Sequence, residues 1–158
     1  MLWIFNSIAA KLSGNEWKIP VNNFGVVVED RIYRCALPSH AALVAMQRKF
    51  KIEHVLDLRV LSESEYYARK RMVEGLGLSY TNIPMDEYNE IPQDLVRQAV
   101  ELISWPENGP VVVHCKGGIH RTGLVILAFR MWRMGYSWKK AFDEAKKYHF
   151  YTGNGHEG

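Results

Sequence analysis

Short apolar runs alternate with longer amphipathic stretches along this chain, and turn residues separate them every ten to fifteen positions. That rhythm predicts an α/β domain, with a mostly parallel central sheet flanked by helices on both faces. Val26 to Val28 and Ile32 to Arg34, split by Glu29-Asp30-Arg31, predict two strands joined by a tight turn. Ser39 caps a helix running to about Phe50, and Ile52 to Leu58 has the composition of a buried strand. Ser62 with Glu65 three residues on forms a capping box for a helix that stops near Gly75 and Gly77. Leu78 to Ile83 predicts another strand, and Pro84 to Ile91 a polar loop. Pro92 then suits the first position of a helix reaching about Ser104, with Trp105 to Pro110 as a loop. Val111 to His114 is a β-branched strand, a Gly-rich segment leads from it into an apolar helical run from Leu124 to Met134, and Gly135 ends that helix. Ser137 caps the last one.

Composition narrows the class without naming it. The 158 residues, 47% hydrophobic, suffice for one core and predict a single compact domain over 21–150, with a lead segment over 1–20 and a tail over 151–158. Twenty Lys and Arg against seventeen Asp and Glu leave +3, which mildly favours anionic partners and falls short of a nucleic-acid-binding signature. With two cysteines, Cys35 and Cys115, the chain can build neither a disulfide framework nor a Cys-rich zinc site, so a reduced, cytoplasmic setting is expected. The opening MLWIFNSIAA is too short to span a bilayer and lacks a basic flank. It reads as a terminal helix, with export or membrane attachment as the alternative and no stable insertion expected.

The chemistry concentrates where an open α/β sheet puts its ligands, at the carboxyl end of a strand. There stands His114-Cys115-Lys116-Gly117-Gly118-Ile119-His120-Arg121-Thr122-Gly123, a glycine-bearing turn between a buried strand and a helix. A loop of this length can turn the amides of Lys116, Gly117, Gly118, Ile119 and His120 inward as an anion nest, with Gly117 and Gly118 allowing positive φ and close approach. Arg121 can offer its planar fork to two oxygens of a phosphate, a geometry lysine lacks. The same amides and guanidinium favour a thiolate at Cys115, and Thr122 can donate to its sulfur.

HCKGGIHRTG matches the HCxxGxxR(S/T)G loop of the protein tyrosine phosphatase superfamily. The order FGVVVEDRIYRCALPS, VLDLR and YTNIPMD is similar to atypical dual-specificity phosphatases and to phosphatase-like cysteine phytases. The resemblance implies a compact α/β phosphatase with no metal and no cofactor, in which Cys115 attacks phosphorus and a phosphocysteine forms. It also implies a general acid from a loop some thirty residues upstream. Asp86 lies there, with Glu87 and Glu90 as alternatives on the same loop. His114 is expected to support the loop through a buried imidazole, and Asp57 and Arg59 to serve as scaffold charges paired with Arg34. Cys35 departs from the family's usual small residue; packing is the expected role, and a protective disulfide with Cys115 the alternative.

Lys116 and His120 add cations around one pocket, and inositol-directed relatives carry Lys directly after the Cys or His directly before the Arg. The substrate expected is thus an inositol polyphosphate or phosphoinositide, with phosphoproteins as the alternative and a monomer as the working form. A silent phosphate-binding module would be expected to have lost Cys115 or Arg121. A rhodanese-like or arsenate-reductase-like reading fits poorly, because in low-molecular-weight phosphatases the Cys loop comes early and the acid follows, the reverse of this chain.

Overall fold

The computed structural model describes residues 18–151; the lead helix expected before residue 18 and the tail beyond 151 lie outside them. Five strands occur among the described residues: β1 (Gly25–Val28), β2 (Ile32–Cys35), β3 (His54–Asp57), β4 (Ser79–Asn82) and β5 (Val111–His114). They form one sheet in the order β1-β2-β5-β3-β4, antiparallel only between β1 and β2. The helices are α1 (His40–Phe50), α2 (Glu63–Glu74), α3 (Gln93–Ser104), α4 (His120–Met134) and α5 (Trp138–Lys146). The expected α/β class and mostly parallel sheet are therefore what the chain adopts.

Strand alternation divides the core in two. Ile32, Leu56, Val111 and Val113 face α3 and α4, meeting Val96, Val100, Val125 and Phe129. Tyr33, Cys35, Val55 and Val112 face α1 and α2, meeting Leu43, Met46 and Val73. Covered on both sides, β5 is apolar at consecutive valines, each worth about 1.5–3 kcal/mol when fully buried. That burial fixes β5 at the centre and its carboxyl end as the base of the site.

Local signals set the helix starts. Ser39 accepts from the Ala42 amide at 3.1 Å, Ser137 from the Lys140 amide at 3.2 Å, and Ser62 and Glu65 form the reciprocal box. Each such cap is worth about 1 kcal/mol. α3 begins at Gln93 with Pro92 as its cap residue, one position later than expected.

α4 starts four residues before the apolar run that announced it. Its cap residue, Ile119, supplies no side-chain hydrogen bond, so the first turn lacks a serine or aspartate signature and its leading amides keep free donors. One more expectation is corrected. Asp57 and Arg59 pair with each other, at 2.7 Å, whereas Arg34 lies elsewhere, donating to the Gly118 carbonyl at 2.6 Å and stacking on the Tyr148 ring at 3.9 Å. Arg34 projects to the α3/α4 side of β2, opposite Val113, which puts it under the loop that follows β5 instead of beside β3.

Candidate active site

The loop leaving β5 at His114 reaches α4 within five residues, so strand end and helix start share one small volume. Gly118 sits at φ 68°, and a Cβ there would come within 2.6 Å of the Cys35 carbonyl carbon and oxygen, so only glycine fits the turn. Cys115, Gly117, Ile119, His120, Arg121 and Glu87 line a recess of about 200 Å³. Cysteine and arginine thus open onto the same cavity. Lys116 is exposed and Thr122 fully buried behind the sulfur; neither lines this recess.

Burial alone would push the Cys115 thiol up. Hydrogen bonds from the Thr122 hydroxyl and amide, the Arg121 charge and the Gly118 amide outweigh it, and the thiol is held below the ordinary cysteine value. Thr122 Oγ1 has no hydrogen-bond partner of ordinary geometry among the described residues, and the Cys115 sulfur is the group its hydroxyl acts on. Cys115 should accordingly keep its thiolate as pH falls below the range where an ordinary cysteine protonates, and lose it only through its own lowered pKa. Its alkylation rate by iodoacetamide against pH checks this; a midpoint at the ordinary cysteine value would remove the thiolate.

His114 is fully buried, with Nδ1 3.0 Å from the Cys115 carbonyl and Nε2 3.8 Å from Asp57. Burial pushes its pKa down to about 4, despite the opposing pull of Asp57, so the imidazole is neutral at physiological pH. It braces the loop base as a hydrogen-bonding group without a charge. Asp57 itself is engaged by the Arg59 amide and guanidinium and by the Tyr80 hydroxyl.

The acidic loop shows a division of labour that residue spacing does not reveal. Asp86 accepts from the Tyr88 amide at 2.9 Å and the Asn89 side chain at 2.6 Å, and these bonds hold its carboxyl below the ordinary range. Glu87 Oε2 instead accepts from Arg121 Nη2 at 3.0 Å. Asp86 and Glu87, with Val60, Tyr88 and Arg121, line a second recess of about 260 Å³ adjoining the first. Glu90 is exposed and lines neither.

Cys35 stands apart from this chemistry. It packs in the α1/α2 core with Tyr33 and Val112, whereas Cys115 belongs to the α3/α4 core, and burial pushes the Cys35 thiol up. The two sulfurs occupy opposite sides of the sheet, which favours packing over a disulfide. From the far end of the chain Phe150 lies against Gly123, where a Cβ would come within 2.6 Å of its ring, and Tyr151 meets His120 edge-on at 4.6 Å. These rim contacts lie thirty residues away in sequence and carry no local motif.

Sheet order, central strand and Cys-to-Arg loop agree with what the family comparison finds: the chain belongs to the tyrosine phosphatase family, whose model matches residues 18–157. Among curated proteins it is 30% identical over 141 residues to the inositol diphosphatase SIW14 of Saccharomyces cerevisiae, covering 86% of this chain and 48% of that protein. It is 26% identical over 117 residues to the inositol diphosphatase DSP4 of Arabidopsis thaliana, covering 72% of this chain and 57% of that one. The chain thus spans about half the length of these relatives. The crystal structure of the core catalytic domain of SIW14 from S. cerevisiae, a PP-IP phosphatase in complex with citrate, superposes with a TM-score of 0.74 at 27% identity, covering 87% of this chain and 82% of that one. No helix among the described residues is long and apolar enough to cross a membrane.

Proposed function

We propose that this chain is a cysteine-dependent phosphatase whose substrate is a phosphorylated inositol, with the diphosphate-bearing inositols first among them. One observation carries the reading: a lowered-pKa sulfur and a buried guanidinium open onto one recess of about 200 Å³. The Cys115 thiolate attacks phosphorus, an S–P bond forms and the P–O bond to the leaving group breaks. Arg121 and the inward amides take up the charge on the equatorial oxygens. Where the leaving group is an alkoxide, the departing oxygen takes a proton that the Asp86 carboxyl has first taken up from solvent. Water then attacks the phosphocysteine, giving its proton back to Asp86, and phosphate leaves with the thiolate restored.

For Asp86 to serve, the 86–90 loop must rearrange. A bound phosphate competes with Glu87 for Arg121 and repels its carboxylate, and that displacement supplies the drive. With the phosphoryl group under attack held at the loop, Lys116 and His120, both exposed, are placed to meet the other phosphates of an inositol ring. The names of the two curated relatives support this class.

A phosphoprotein reading keeps one specific observation in its favour. Val60 and the 88% exposed Tyr88 bring apolar surface to the second recess, which suits an aryl group or peptide. Rates measured side by side on a diphosphoinositol phosphate, inositol hexakisphosphate, a phosphoinositide, a phosphotyrosine peptide and a phosphothreonine peptide separate the two. The highest kcat/KM is expected on an inositol substrate; a phosphotyrosine peptide turned over fastest would transfer the assignment to the second reading.

A further inference from the structure

Three consecutive carbonyls of the loop are each held by a donor from the segment preceding α1. The Leu37 amide donates to Lys116 O at 2.9 Å, Asn23 Nδ2 to Gly117 O at 2.8 Å, and Arg34 Nη2 to Gly118 O at 2.6 Å. A trans peptide carries its N–H on the side opposite its C=O. Holding these carbonyls therefore orients the N–H groups of Gly117, Gly118 and Ile119 the other way. The Gly118 amide is one of the groups that stabilise the Cys115 thiolate, and the carbonyl of that same peptide unit is the one Asn23 holds.

We propose that Asn23 and Arg34 are positioning residues that preset the amide cradle, Asn23 by fixing the Gly117–Gly118 peptide and Arg34 by fixing the next one. The inference rests on Cys115 being the nucleophile, and it assigns to the β1–β2 region a share in tuning it. Both side chains are themselves constrained for the task. Asn23 stands at φ 52°, a left-handed conformation that asparagine tolerates, in a turn tied to the end of β2 by the Ala36 amide on the Asn22 carbonyl at 2.9 Å. Arg34 is 1% exposed. A charge so buried is costly unless it is bonded, and Arg34 is placed by its stacking on Tyr148 and its bond to Gly118 O, with Asp57 already taken by Arg59.

The cleaner variant is Asn23→Gly, which deletes the donor while suiting the positive φ. The expected result is a rise of about half a unit to one unit in the apparent pKa of Cys115, read from the pH dependence of its inactivation by iodoacetamide. A fall of about three- to tenfold in kcat on p-nitrophenyl phosphate should accompany it, with the melting temperature nearly unchanged. Asn23→Asp, which turns an acceptor toward the Gly117 carbonyl, should do worse. Arg34→Gln should shift the profile in the same direction; if that variant fails to fold, the Asn23 pair still decides. An unaltered alkylation profile in both Asn23 variants would overturn the proposal, as would a loss of melting temperature with no change in pKa. If the wild-type profile itself is that of an ordinary thiol, it is the phosphatase reading that fails.

Discussion

Cys115→Ser should leave a folded protein that hydrolyses phosphate esters more than about a thousandfold more slowly and still binds the phosphate group. The substitution exchanges sulfur for a smaller oxygen in a nearly closed site, with Cys115 only 2% exposed, so packing changes little. Chemistry changes completely. The environment that lowers a thiol's pKa starts from a group that ionises within reach of neutral pH, whereas a serine hydroxyl stays protonated and attacks phosphorus poorly. Arg121 and the loop amides remain, so inorganic phosphate should protect the variant against thermal unfolding about as well as it protects the wild type. Burst release of leaving group in the wild type and its absence in the variant check the covalent step. Turnover retained within tenfold would remove Cys115 from the mechanism, whatever the shape of the pocket.

What could be read in the sequence and what could not divide along interaction range. Ser39, Ser62 with Glu65, Ser137 and Gly135 mark helix ends because their partners lie within a few residues, and all act as their spacing implies. The valines of β5 betray a strand buried on both faces for the same reason, since each residue reports its own environment. The start of α4 was hidden because no side chain caps it; the free amides there suit an anion, and an anion is not written in the chain. Arg34 was assigned to the wrong partner because β2 lies next to β5, a neighbour nearly eighty positions away, and only the sheet order brings Gly118 over it. The Tyr148 to Tyr151 return past Arg34, Gly123 and His120 escaped for the same reason. The family resemblance likewise pointed to the acidic loop and left open which of its carboxylates meets Arg121, because that depends on how Asp86 folds back onto Tyr88 and Asn89.

Asp86→Asn should lower kcat/KM, which reports phosphoryl transfer to Cys115, by about a hundredfold or more on an alkyl phosphate while leaving it nearly untouched on a diphosphate bond. An alkoxide is a strong base and must be protonated as it departs. The phosphate expelled from a diphosphate group has a pKa near 6 and leaves without help. On the proposed reading, a site that takes diphosphates can work with its acid turned away, and the Asp86 carboxyl does rest ionised and bonded to Tyr88 and Asn89. Glu87→Gln should act in the opposite sense on binding. Its carboxylate occupies the Arg121 guanidinium that phosphate needs, so its neutralisation should lower the inhibition constant of inorganic phosphate several-fold. Both constants follow from steady-state rates on p-nitrophenyl phosphate, an alkyl phosphate and a diphosphoinositol phosphate. Should the leaving-group dependence appear in Glu87→Gln and not in Asp86→Asn, the proton donor is Glu87, and the carboxylate now resting on Arg121 is the one that swings to the departing oxygen.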